Sequence, residues 1–171
     1  METVLASAMA ILGTLLGAIV SGRAQERAAA RAAEANHREE IRRDRLKAIM
    51  DLTSAVSEHR TVMWRRGDAM LKGRSAERIE VLRDESHESR KAVTGPLTAL
   101  LVLIQDQEVH DAATHMITLT YAMREAFPSP SDLAEADTRE AAKDTLTAAR
   151  YDAVVAHDRF RDVAARYLNA T

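Results

Sequence analysis

The sequence predicts an all-α chain: an N-terminal transmembrane helix continuing into a long stalk, then an elongated antiparallel bundle of about four helices. Three observations lead there. Thr3 to Gly22, TVLASAMAILGTLLGAIVSG, carries no charge over twenty positions, and about 20 apolar residues are what a helix needs to cross a hydrocarbon core roughly 30 Å thick. Neither proline nor glycine occurs between Arg23 and Arg66, a stretch rich in Ala, Glu, Arg and Lys, which are among the best helix formers. Beyond it, apolar residues recur at 3-4 spacing in stretches separated by short Gly, Ser and Pro breaks.

The first stretch reads as an anchor over residues 1–22. A cleavable signal would open with basic residues and end at a small-x-small site, whereas this chain opens Met1-Glu2-Thr3-Val4 and stays apolar to Gly22. Gly13 and Gly17 form a GxxxG pair that Ser21 extends, a face on which two such helices can approach closely and make a homo-oligomer. The flank that follows is basic: residues 23–50 hold eight Lys/Arg against five Asp/Glu. The positive-inside rule therefore predicts a single-pass protein of the cell membrane with the bulk of the chain in the cytoplasm. Absent cysteines agree with a reducing interior.

Residues 23–45 read as an Ala/Arg-rich helical stalk and residues 46–171 as the bundle. Helix 1 carries a seam of Ile49, Leu52, Val56, His59, Met63 and Met70 and stops at Gly73. Helix 2 is capped by Ser75 and has its seam at Ile79, Leu82, Ser86, Ser89, Val93, Leu97, Leu100 and Ile104. Pro96 predicts a kink or a split near Gly95-Pro96, and LTALLVLI, too short to span a membrane, reads as core. Helix 3 follows a cap at Asp106 and uses Val109, Ala113, Met116, Thr120, Met123 and Phe127. Ser129-Pro130-Ser131-Asp132 has the cap, proline and acid that open a fourth helix, which runs to about Leu168 through Ala142, Leu146, Ala149, Ala153, Ala156, Phe160, Val163 and Tyr167.

A tight turn between helices 1 and 2 places residues whose numbers sum to about 147 opposite each other. His59 then lies near Ser86, His87 and Ser89, predicting a polar layer in which the side chains of His59, Ser86 and Ser89 bond to one another or to water. By length, helix 4 should overshoot helices 2 and 3 by roughly 25 to 30 Å and run back along the stalk.

Chemistry is scarce. The sequence has no Gly-rich phosphate loop, HExxH, CxxC or nucleophile elbow, so no enzyme, cofactor or metal site is expected. Glu34…His37, Asp84…His87 and the Asp111/His115 pair resemble fragments of a carboxylate-bridged metal site, but the register sets them at different heights. Trp64, beside Arg65 and Arg66, reads either as a packed anchor or as a protein-partner contact.

LGTLLGAIVSGR, VSEHRTVMWRRGDAMLKG, LRDESHESRKAVTGPL and TYAMREAF resemble a family of small actinomycete proteins labelled KilB, after a plasmid transfer gene. The resemblance covers most of the chain. It implies membrane association and a part in spreading a conjugative plasmid between mycelial compartments, and it supplies no catalytic residues. The expected role is a membrane-tethered, non-enzymatic scaffold for a protein partner such as a DNA-translocation machine. The alternative is a nucleic-acid-binding adaptor using the stalk, which its interleaved acids and lack of stacking aromatics disfavour.

Overall fold

The computed structural model describes residues 2–170, with side chains from residue 25 onward. The anchor over residues 1–22, with Gly13, Gly17 and Ser21, thus lies outside the described side chains. Among the described residues no helix is long and apolar enough to cross a membrane.

The fold is all-helical: α1 (Glu2–Leu71), α2 (Ala76–Leu103), α3 (Gln107–Ala122), a single 3-10 turn (Met123–Ala126) and α4 (Ala136–Ala170). The chain divides into two compact units, Met1–Arg43 and Asp44–Thr171. In the first, residues 25–40 are exposed on every face. The second is the bundle.

Each link in the bundle is set by local chemistry. Gly73 takes φ +60°, and the amides of Gly73 and Arg74 reach back to the carbonyls of Met70 and Ala69, both at 3.0 Å. This is the Schellman arrangement, which satisfies helix-end carbonyls and needs a left-handed residue. Ser75 caps α2 by accepting from the Arg78 amide at 3.3 Å, and Asp106 caps α3 by accepting from the Val109 amide at 2.9 Å.

Cross-helix pairs fix the topology. His59 with Ser89, Arg65 with Glu85 and Arg45 with the Leu103 carbonyl run α1 and α2 antiparallel, within about three residues of the expected register. Arg166 with Glu108 runs α4 antiparallel to α3, and Arg45–Tyr167 and Trp64–Arg150 run it antiparallel to α1. The result is up-down-up-down. Leu52, Val56, Val93, Leu100, Met116 and Phe160 meet in the main core, all essentially inaccessible to solvent.

Of the kink or split expected at Pro96, the split does not occur: α2 is one helix from Ala76 to Leu103, with Val93 and Leu100 on either side of the proline buried in the same core. Two expectations are corrected. LTALLVLI is only half core, since Leu100 and Ile104 are buried while Leu101, Val102 and Leu103 are exposed. The fourth helix opens at Ala136 rather than at Ser129-Pro130. The capping bonds at that site do form, with the Ser129 amide donating to Asp132 Oδ2 at 2.7 Å, but they close a turn, and a second turn bond joins Ala134 to the Ser131 carbonyl.

The overshoot also falls at the other end of α4. Tyr167 and Leu168 lie level with Arg45 and Leu46, beside the α2–α3 link, whereas Leu146 already packs on Gly67. At 1.5 Å per residue, α1 ends at Leu71 about level with Ala142, so the first turn and a half of α4 extends past it. The start of α4 faces the 125–132 link through Thr138, Ala141, Ala142 and Thr145.

Candidate functional site

Where α1, α2 and α3 converge, the seam carries polar side chains. His59 is 3% exposed and Ser86 is 5% exposed. The Ser89 hydroxyl donates to the Ser86 carbonyl at 3.2 Å and lies 2.9 Å from His59 Nδ1. The hydroxyl and the ring nitrogen share one proton between them, supplied by either atom according to the tautomer of the ring. Ser86 takes no part in bonding His59: its own hydroxyl donates to the Arg83 carbonyl at 2.6 Å. Tyr121 completes the layer, edge-on to His59 with centroids 5.2 Å apart. Burial, and then the nearby Arg90 charge, push the His59 pKa down to about 4.

Outside this layer opens a small cleft of about 90 Å³ lined by Arg66, Arg83, Arg90, Arg124, His59 and His87, with Tyr121 and Met63 as walls. No carboxylate lines it. Arg83 is paired with Glu80 at 3.1 Å; among the described residues Arg66, Arg90 and Arg124 have no ion pair. Arg66 sits over the Phe127 ring at 5.1 Å and Arg90 over Tyr121 at 4.5 Å. Arg66 Nε is buried without a hydrogen-bond partner. Burial first, then the Arg83 and Arg124 charges, hold the Arg66 guanidinium below its ordinary range, with Glu80 opposing.

Trp64, Arg65 and Arg66 do not form one surface. Trp64 is half-buried against Met63, Met123 and Ala153 and is covered by Arg150 of α4 at 4.6 Å. Arg65 turns to Glu85 of α2 at 3.4 Å, and Arg66 turns to Phe127. Consecutive residues on a helix are about 100° apart, which sends three neighbours toward three partners. Among the described residues no group of three or more His, Asp or Glu is arranged to hold a metal ion. Glu34 instead pairs with Arg38.

Sequence reading set His87 near His59 but missed Arg83, Arg90, Arg124 and Tyr121 as a set. Part of the signal was present: positions 83, 87 and 90 follow the i, i+4, i+7 spacing that places them on one helix face. Arg124 reaches the cleft only because the 3-10 turn after α3 brings it there.

Comparison with known proteins matches residues 46–168 to the family described as KilB plasmid transfer protein. The chain belongs to the KilB family. A curated relative, Protein KilB of Streptomyces lividans, is 35% identical over 142 residues, covering 82% of this chain and 92% of the relative. The KilB match begins at Leu46, so both the polar layer and the arginine cleft fall inside it. No solved structure matches the chain.

Proposed function

We propose that this KilB-family chain is a membrane-anchored, non-enzymatic helical scaffold acting in plasmid transfer, with its bundle on the cytoplasmic side of the cell membrane. The observation that carries this reading is the succession, along one chain, of charge-free Thr3–Gly22, a basic flank and a body matched as a plasmid transfer protein. The family description supports the transfer role, and the sequence supports the tether. Gly13, Gly17 and Ser21 give the anchor a face for self-association, and the bundle presents its surface to a protein of the transfer machinery. A nucleic-acid role for the basic stretch is weaker, because Arg38 and Lys47 are already paired with Glu34 and Asp51.

An arginine at the centre of a membrane helix costs about 2.5 to 3.5 kcal/mol on insertion scales. Leu12→Arg should therefore move the chain out of the membrane fraction and reduce plasmid spread between mycelia to the level of a strain lacking it. Undiminished spread from a displaced chain would overturn the tethered scaffold.

A further inference from the structure

We propose that the cleft between α1, α2 and the 3-10 turn is a binding site for a compact phosphate-class anion, inorganic phosphate or a phosphomonoester headgroup, held by Arg66, Arg90 and Arg124. Four guanidiniums and two imidazoles converge on about 90 Å³, with Glu80 on Arg83 as the one paired acid at the rim. The four guanidinium charges, with Glu80 on Arg83 as their one paired carboxylate, repel one another, and a dianion seated among them would relieve that repulsion.

Geometry favours an oxyanion over a diffuse counterion. A guanidinium stacked on a ring uses its face and leaves its edge N–H groups in plane, where they match the oxygens of phosphate. Arg66 and Arg90 are each held over a ring, Phe127 and Tyr121, at 5.1 and 4.5 Å. The orphaned Nε of Arg66 is a donor with no acceptor in the protein, and buried donors are nearly always satisfied. The cleft admits one phosphoryl group and is too small for a nucleobase beside it. His59, bonded through Nδ1 to Ser89, stiffens the floor. The inference is independent of the membrane anchor.

The test is titration of the full chain in neutral detergent micelles by calorimetry, using inorganic phosphate, glycerol 3-phosphate and a short-chain phosphatidic acid at constant ionic strength. One saturable site is expected for at least one probe. It should weaken about tenfold or more in each of Arg66→Gln, Arg90→Gln and Arg124→Gln, since each removes charged hydrogen bonds, while Arg159→Gln on the exposed face of α4 leaves it unchanged. Arg90 and Arg124 are exposed, so those two variants keep the experiment decisive should Arg66→Gln fold poorly. Tighter binding of phosphatidic acid than of phosphate identifies a lipid headgroup as the source, and the reverse identifies a free phosphate. Three results overturn the site: no saturation by any probe up to about 20 mM, well above the millimolar Kd of a weak complex; equal weakening by Arg159→Gln; or saturable binding of duplex DNA alone.

Discussion

At the level of single residues, the polar layer separates two serines that look alike in sequence. Ser89 holds the His59 ring, whereas Ser86 bonds within its own helix. Ser89→Ala leaves the buried Nδ1 of His59 without its partner and should lower stability by about 1 to 3 kcal/mol. Ser86→Ala removes only a helix back-bond and should cost about 0.5 kcal/mol or less. Urea unfolding of the full chain in micelles measures both, and equal costs would show that the ring is held by something other than Ser89. His59 also makes stability depend on acid. Its folded pKa of about 4 lies below the ordinary 6.5, so the unfolded chain binds the extra proton and stability falls as pH drops from about 6.5 through 4. His157 is depressed by burial and then by Arg60, and works in the same direction. The His59 shift alone amounts to about 3 kcal/mol across that window. His59→Leu should flatten the fall in melting temperature between pH 7 and 4, and an unchanged slope would place the acid sensitivity elsewhere.

Among the elements, two glycines of α1 and its turn do different jobs. Gly73 is needed for its backbone: at φ +60° an L side chain is strained, and Gly73→Ala should cost about 1 kcal/mol although nothing lies within 4 Å of the added carbon. Gly67 is needed for space, because a Cβ there would stand 2.5 Å from Leu146 Cδ2 and 3.3 Å from Phe127 Cδ1. Leu146 is fully buried and has no solvent to swing into. Gly67→Ala should therefore cost about 1 to 3 kcal/mol despite alanine's better helix propensity, with the α1–α4 contact shifts in NMR as the check. These elements also show what the sequence could convey. Caps at Ser75 and Asp106 and the stop at Gly73 depend on neighbours within a turn, and so did the seams of α1 and α3. The start of α4 was misplaced because Ser129 and Asp132 make the same bonds whether they open a helix or close a turn. The arginine cleft draws Arg66, Arg83, Arg90 and Arg124 from three separate segments, and no pattern along one segment encodes that meeting.

Across the whole molecule, charge is unevenly divided, with a basic excess just after the apolar stretch. If that flank orients the chain, a reporter fused after Thr171 should be active in the cytoplasm, and protease added to intact spheroplasts should leave the bundle uncut. Cleavage from outside would reverse the orientation. Synthesis gives the antiparallel topology a further meaning. α1 is made first, yet its seam from Ile49 to Met63 is covered by α2, α3 and α4, and the residues of α4 that meet Trp64 and Arg45 follow about a hundred positions later. At about 5 to 20 residues per second this is an interval of roughly 5 to 20 seconds. Throughout it, the helix nearest the start of the chain exposes a greasy stripe with only part of its covering in place. A ribosome stalled before Phe160 should therefore carry a nascent chain that recruits chaperones or other copies of itself, and release from the stall should end that attraction as α4 closes over the stripe.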